Sequence, residues 1–257
     1  MQRFFPVYFG KLSLYLHQMK RHLRKITFAT IIFLSIPLLS QNNLIDSKSF
    51  IYPNKLEFGK VKSLFSVTLA KLPEDAVEEV SSNILAPLFN YDILYGLPMG
   101  FSGHGNFTTN WVTFHFALGP KWNYRYKKFS VSIGYDVAYV YGRLFNFGFD
   151  SEIKGWLNNP NLTFGIAFNK FTVSFKVDAT LTTSLSQFND DVEITTDKNK
   201  LSGIAFGAII EQPLWKDNII SLSFNGNYTR LYYPAWAVFP TWDRFNFIPE
   251  ILIGIVF

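Results

Sequence analysis

The chain has 257 residues, of which 18% are aromatic and 17% charged, with a formal net charge of +5 and no cysteine. The lack of cysteine excludes disulfides, thiolate nucleophiles, cysteine-based zinc sites and a lipid-anchored lipoprotein, whose modified residue is a cysteine. Residues 1–41 hold six basic residues and no acidic one, which leaves 18 basic against 19 acidic residues in the rest. The basic balance therefore gives no support to a nucleic-acid partner.

The segment 1–41 has the form of a secretory signal. A basic stretch, KRHLRK (20–25), precedes the apolar run ITFATIIFLSIPLLS (26–40), and a small residue at position 40 offers a cleavage point. The run is shorter than the ~20 residues with which a helix crosses a bilayer, so a transmembrane anchor is the weaker alternative. A signal that starts at Met19 has ordinary proportions, which makes Met19 an alternative true start. We expect a mature chain of residues 42–257.

Side chains in the mature segment alternate with a period of two. In FSVSIGYDVAYVYG (129–142), large apolar and aromatic residues form one face, and Ser, Gly, Ala and Asp dominate the other. The pattern recurs in NLTFGIAFNKFTVSFKVDAT (161–180) around a tight turn at Asn169–Lys170. The polar face carries too little charge for the water-exposed face of a soluble sandwich, whereas small polar residues suit an enclosed lumen and the apolar face suits lipid. Because no sheet edge can stay open in a bilayer, the sheet must close into a barrel.

The pattern predicts ten antiparallel strands, with eight as the alternative because the first two are the weakest. They lie near 44–52, 56–70, 91–102, 107–119, 128–143, 158–169, 171–183, 200–211, 219–231 and 244–257. These lengths are typical of tilted membrane strands, which need about 9 to 11 residues. Long external loops are expected near 144–158, 182–200 and 231–243, with short turns near 119–128, 169–170 and 211–218.

The stretch LPEDAVEEVSSNILAPLF (72–89) interrupts the strand pattern. Pro73 at a first helical position and apolar residues on one face predict a short amphipathic helix near 73–86. We expect the helix on the periplasmic side, or tucked into the barrel mouth as a partial plug. The six tryptophans all fall outside the middles of the predicted strands, as interfacial residues do.

These features resemble the bacterial outer-membrane β-barrel superfamily. The resemblance rests on the segment 20–41, on the alternating strands of 56–257, and on the last strand, EILIGIVF (250–257). Members of that superfamily end with an aromatic residue on a strand of alternating apolar residues, which the barrel-assembly machinery reads. The matching positions here are Ile251, Ile253, Ile255 and Phe257. The resemblance implies the outer membrane of a Gram-negative bacterium, with outer-membrane lipids including lipopolysaccharide and the barrel-assembly machinery as partners.

Strand parity points five polar side chains into the lumen: His115, Asp136, Lys176, Asp178 and Glu250. Buried charges are costly unless they are paired, and both signs are present, so we expect an internal network of salt bridges and hydrogen bonds. A polar path for small solutes is the alternative. Barrels of about eight strands leave room only for side chains or one small ligand, whereas open channels belong to barrels of about 16 to 18 strands.

Ser102 and His104 in FSGHGNF (101–107) are the candidates for nucleophilic chemistry. A Ser/His pair near an outer rim is similar to that of lipid-modifying barrels, but the chemistry also needs a third group that orients the base. The sequence does not identify such a group. We therefore favour a flexible external turn.

Two predicted loops have unusual compositions. FNDDVEITTDKNK (188–200) gathers Asp190, Asp191, Glu193 and Asp197 without the ordered spacing of a calcium loop, and we expect a solvated acidic loop. LYYPAWAVFPTWD (231–243) is aromatic, and we expect it in the outer-leaflet interface.

The sequence favours a non-catalytic barrel with a structural role or a role in small-solute passage. A surface-interaction barrel that uses its external loops and a lipid-modifying enzyme are the alternatives, because a barrel architecture by itself does not define a function. Since there is no nucleotide-binding loop, metal cluster or nucleic-acid module in the sequence, we expect no cofactor.

Overall fold

A computed structural model describes residues 48–73, 85–146, 149–190, 192–215, 218–238 and 244–257, which belong to one compact unit, Asn42–Phe257. Ten antiparallel strands form a closed barrel in which each strand pairs with its neighbours in sequence and β1 pairs with β10. The strands are β1 (Val61–Lys71), β2 (Leu85–Gly96), β3 (Phe101–Thr109), β4 (Thr113–Tyr126), β5 (Phe129–Asn146), β6 (Phe149–Ala167), β7 (Thr172–Asn189), β8 (Val192–Pro213), β9 (Ile219–Thr229) and β10 (Asn246–Val256). Among these described residues, no helix is long and apolar enough to cross a membrane.

The seam between the first and last strands closes the barrel. The register runs from Leu64 opposite Val256 to Ala70 opposite Glu250, and Ser63 and Phe257 exchange backbone hydrogen bonds of 3.2 and 2.9 Å. Each strand edge therefore has a partner, which satisfies the backbone donors and acceptors of the sheet. The prediction of a closed, ten-stranded, all-β barrel is confirmed.

The period-two pattern sorts side chains between the outside and the interior. On β5, Ile133 and Tyr135 are exposed, whereas Ser132 and Asp136, which flank this stretch, are buried. Aromatic side chains meet across strands on the outer face, as in the Phe206–Phe247 and Tyr228–Phe245 pairs. Such cross-strand pairs each contribute about 0.2 to 1 kcal/mol.

The first predicted strand, 44–52, is wrong in its described part, because residues 48–52 form no strand. Ten strands result because the predicted strand 91–102 is two strands, β2 and β3, joined by a tight turn at Pro98–Gly100. Proline fixes its own φ and removes a ladder donor, and Met99 and Gly100 have positive φ values of 60° and 84°. This sharp turn therefore divides the predicted strand 91–102 into two.

Because residues 48–52 form no strand, the connection between β1 and β2 is the first of the barrel. It lies at the end opposite Phe257, which pairs with Ser63 near the start of β1. Leu85 and Ala86 belong to β2 and not to a helix; residues 74–84 lie outside the described part.

The long loops predicted at 144–158 and 182–200 are also wrong. The β5–β6 and β7–β8 hairpins continue through them, and the ladders reach Arg143 opposite Glu152 and Gln187 opposite Thr195. Charged side chains obscured the apolar alternation there, although the backbone pairing continues. Trp156 consequently faces outward within β6 and not beside a loop.

Gly119 of β4 provides a test of the barrel's packing. A Cβ added there would come within 1.9 Å of the Tyr135 carbonyl oxygen and 2.7 Å of the Asp136 Cα, whereas one added at Gly103 would meet nothing within 4 Å. We expect Gly119→Val to lower the free energy of unfolding by about 1–3 kcal/mol or more and Gly103→Ala to leave it almost unchanged. Urea unfolding monitored by heat-modifiable gel mobility measures both, and equal stability of the two variants would contradict the packing.

Candidate functional site

The barrel interior contains a cavity of about 340 Å³ that is lined by polar side chains from most strands. Two segments outside the sheet also line it. A plug segment, residues 49–53, lies inside the end that carries Phe257, and an inward loop, residues 231–238, lies inside the opposite end. We call the space between them the chamber.

Glu211 of β8 fixes the plug segment through its backbone. Its carboxylate accepts hydrogen bonds from the N–H groups of Phe50 (2.8 Å), Ile51 (3.0 Å) and Tyr52 (2.9 Å), and its side chain is fully buried. A non-strand backbone inside a barrel has no ladder to satisfy its donors. The carboxylate supplies this acceptor, and such charge-assisted hydrogen bonds are stronger than neutral ones.

Side chains of the plug segment fit the barrel wall. The Tyr52 ring packs against Gly165, where an added Cβ would come within 2.6 Å of the ring, and the Tyr52 hydroxyl donates to the Lys128 carbonyl at 3.2 Å. Ser49 and Thr172 join their hydroxyls at 3.2 Å. Phe50 belongs to a buried apolar cluster with Leu64, Ile219 and Val256. The segment therefore occupies a shaped site on the inner wall.

The prediction that 231–243 lies in the lipid interface is wrong for residues 231–238, which lie inside the barrel. Trp236 is 1% exposed, and its indole N–H donates to the Thr113 hydroxyl at 3.1 Å. Gly142 makes room for the indole, since an added Cβ would come within 2.5 Å of the ring nitrogen. The Tyr232 hydroxyl donates to the Glu250 carboxylate at 2.6 Å. The polar atoms of these aromatic residues find partners inside the barrel, which lipid would not supply.

His104 lies within β3 and faces the chamber, so the predicted external turn at 101–107 is wrong. Its Nδ1 lies 2.9 Å from the Asp136 carboxylate and its Nε2 3.4 Å from the Asp92 carboxylate. Asn161 donates to Asp136 and Asn106 donates to Asp92, each at 2.9 Å. Each carboxylate thus contacts a ring nitrogen of His104 and accepts a hydrogen bond from an asparagine amide, so neither is left without polar partners.

Ser102 also faces inward, but the structure does not bring it to His104. The Ser102 hydroxyl is 3.1 Å from the Asn123 side-chain nitrogen, which donates to it, while both ring nitrogens of His104 face carboxylates. Nucleophilic catalysis needs a base in contact with the hydroxyl. This pair has the buried environment of a structural network and not the contact of a nucleophile with its base.

The five side chains predicted to face the lumen all line the chamber. Four of them form three sets of contacts: Asp136 contacts His104, Lys176 pairs with Asp178 at 2.8 Å, and the Glu250 carboxylate accepts from the Tyr232 hydroxyl. The His115 Nδ1 lies 3.2 Å from the side-chain oxygen of Asn106, which donates to Asp92. His115 stacks on the inward loop, with its ring centroid 4.7 Å from that of Tyr233.

Asp92 and Lys121 also line the chamber, and the sequence prediction did not name them. Lys121 fell in the turn predicted at 119–128, whereas β4 continues to Tyr126. Asp92 lies in an inward row of β2 with Leu88, Asn90 and Leu94, which period-two parity indicates once the strand is assigned.

The acidic stretch 188–200 forms part of the β7–β8 hairpin and not a loop. Asp197 pairs with Arg230 at 3.0 Å and with Lys200 at 2.7 Å. Asp191 lies outside the described residues. Within the described part of the chain, no three His, Asp or Glu side chains are grouped so that they could hold a metal ion.

No protein-family model and no curated protein matches the sequence. Among solved structures, the chain is similar to the translocator domain of the autotransporter NalP from Neisseria meningitidis, at 6% identity and a TM-score of 0.42 over 96% of this chain and 97% of that one. It is also similar to the KdgM porin, at 8% identity and 0.37 over 76% and 98%, and to neisserial surface protein A, at 9% and 0.36 over 76% and 95%. Likenesses at these scores carry no argument about family or function.

The contacts of Asp136 with His104 and Asn161 provide a second test. Asp136→Asn leaves a buried imidazole without its nearest carboxylate, which costs about 1–3 kcal/mol of stability, since an unsatisfied buried group loses its solvation as well as its bond. Asp150→Asn removes one partner of the exposed Arg143–Asp150 pair and should cost clearly less, because water screens such pairs. Denaturant unfolding of the two variants measures the difference. An Asp150→Asn variant as unstable as Asp136→Asn would contradict the network.

Proposed function

We propose that this protein is an integral outer-membrane barrel that is non-catalytic and gives small polar solutes passage through its chamber. One observation carries the proposal: all ten strands expose large apolar or aromatic side chains outward, while the interior is polar. Examples from different parts of the wall are Phe65, Tyr91, Phe116, Phe164, Phe224 and Ile253.

An outer face of this kind would be a severe aggregation hazard in water, since soluble monomers rarely expose large continuous apolar patches. It is typical of transmembrane barrels, which alternate apolar side chains toward lipid with polar side chains toward the lumen. The outer membrane is the proposed location because the predicted signal and the closed barrel agree with export to it.

This location has a direct test. We expect the protein in the outer-membrane fraction of its Gram-negative host, extractable only with detergent, and we expect unboiled and boiled samples to differ in gel mobility, because a closed barrel resists unfolding by detergent. Recovery of a soluble protein whose mobility is unchanged by boiling would refute the membrane proposal.

Passage through the barrel depends on the plug segment in this proposal. Its side chains fill the terminal end, and three backbone hydrogen bonds to one carboxylate hold it there. These contacts are non-covalent, so the segment can leave its site without unfolding the barrel. The chamber behind it is as large as a small-ligand pocket, which starts at about 300 Å³.

Substitution of Glu211 tests whether the plug segment controls passage. Glu211→Gln removes the negative charge and turns one acceptor atom into a donor that faces backbone N–H groups. Since a hydrogen bond to a charged group is worth about 1.5–3 kcal/mol, we expect the open probability in planar-bilayer recordings to rise at least about tenfold. Glu193→Gln, on the exposed part of β8, is the matched control and should record like the wild type.

A disulfide tests the same segment in the opposite direction. The chain has no cysteine, so Ser49→Cys with Thr172→Cys, whose hydroxyls are 3.2 Å apart, introduces the only pair of thiols. Oxidation should suppress conductance and reduction should restore it. If oxidised, reduced and Glu211→Gln proteins all conduct alike, the plug segment does not control passage.

Surface interaction is the second candidate, and the β7–β8 hairpin favours it. Its strands have 18 and 22 residues, about twice the 9 to 11 that cross a bilayer. The residues around its tip are exposed and carry charges, among them Glu193, Lys198 and Lys200. We expect deletion of the hairpin tip to abolish binding of the protein to a host surface and to leave its conductance unchanged.

A further inference from the structure

Lys121 extends across the chamber wall because of a glycine. Residue 134 lies opposite Lys121 in the β4–β5 ladder, and a Cβ at Gly134 would come within 2.8 Å of the Lys121 Cγ and 2.5 Å of the Asn161 Oδ1. With no side chain at 134, the lysine stem lies over β5. The glycine therefore brings the ammonium group of Lys121 into the chamber.

A second ammonium group lies near the first. Lys176 of β7 lines the same chamber, and its inward row is next to that of Lys121, because Lys121 aligns through Gly134 and Asn161 with Asp178, two residues from Lys176. Lys176 is neutralised by Asp178 at 2.8 Å. For Lys121, no carboxylate oxygen of the described residues lies within the 4.0 Å of an ion pair.

The nearby acidic side chains are already engaged. Asp92 and Asp136 face the two nitrogens of His104 and accept from Asn106 and Asn161. Lys121 is attracted to these carboxylates at longer range, but its ammonium donors are not used by them within ion-pair distance in the described part of the chain. A ligand with a negative group would supply the missing partner.

A buried hydroxyl on β5 lies in the same inward row as Lys176. Ser132 is 4% exposed, and its Oγ has no hydrogen-bond partner among the described residues. Ladder pairs join it to Asn123 on one side and to Thr163 on the other, and Thr163 pairs with Lys176. Buried polar atoms without partners are rare and call for a ligand or water that supplies the bond.

The facing wall of the chamber differs in character. Strands β8 and β10 contribute Ala205, Gly207, Ile209 and Leu252, β9 adds the neutral polar Ser223 and Asn225, and the one carboxylate among the described lining residues of this wall, that of Glu250, accepts from the Tyr232 hydroxyl. Such a surface suits the short carbon chain of a ligand better than a second charged group on that ligand. The chamber therefore offers cationic donors on one wall and apolar contact on the other.

We propose that the chamber binds a small organic anion, with its carboxylate between the ammonium groups of Lys121 and Lys176 and its carbon body against β8–β10. Ser132 donates its hydroxyl hydrogen to the same carboxylate. The volume of about 340 Å³ leaves room for a carbon body that a bare inorganic ion would not fill. The inference names the solute class of the proposed passage and rests on that function only for the route by which the anion enters.

The test is calorimetric titration of the detergent-solubilised barrel with pentanoate and with pentanamide, its neutral isostere. Wild type and Glu211→Gln are both titrated, so that a closed plug segment does not prevent entry. We expect pentanoate to bind at least about tenfold more tightly than pentanamide, the factor that corresponds to 1.4 kcal/mol. Lys121→Met should remove this preference and Ser132→Ala should reduce it several-fold, whereas Lys170→Met, in the exposed β6–β7 turn, should leave it unchanged.

Several outcomes overturn the site. Equal binding of pentanoate and pentanamide in the unsubstituted barrel does so without any variant that must fold. Inorganic phosphate bound as tightly as pentanoate would exclude a role for the carbon body, and no binding in either background would exclude the site. Bilayer recordings are independent of these titrations: a barrel that binds pentanoate but never conducts refutes passage and leaves the site standing, and the reverse result refutes only the site.

Discussion

Pairing of β10 with β1 satisfies the last free edge of the sheet, and the remaining features of the molecule depend on this closure. An open sheet of ten strands would leave a row of unpaired N–H and C=O groups at each edge. Once it is closed, one face of every strand is turned inward, and the side chains on that face have only one another as partners. The small residues of that face leave the space that the plug segment, the chamber and the inward loop share.

Closure also leaves any backbone that enters the interior without a strand partner for its N–H groups. The plug segment forms no ladder, so its N–H groups need acceptors from side chains. Glu211 satisfies three of them. At the other end, aromatic residues of the inward loop place their polar atoms on Thr113 and Glu250. Polar side chains of the wall thus hold both segments, through backbone N–H groups of the plug segment and through side-chain donors of the inward loop.

Much of the barrel was predictable from local pattern, and the errors share one cause. Alternation identifies which face of β5 or β7 is inward, because side-chain direction reverses at each residue whatever the rest of the chain does. It cannot tell whether an apolar run pairs as a strand or inserts into the lumen, since Phe50 and Tyr52 alternate like any strand. The plug segment was therefore read as a strand, and the turn at Pro98–Gly100 was read as strand interior. The two errors cancel in the strand count but not in the side on which the β1–β2 connection lies.

The sequence by itself determined the all-β class, the closed sheet and the inward direction of Asp136, Lys176 and Glu250, because these follow from a period of two and from the cost of an open edge. Only the tertiary structure decided which of those side chains meet. His104 lies between Asp92 and Asp136 on three different strands, and the Lys121 stem lies over Gly134 of β5. These contacts depend on the register between neighbouring strands and on the strand number that sets the curvature of the wall. Register is a property of pairs of strands, and no single strand's sequence contains it.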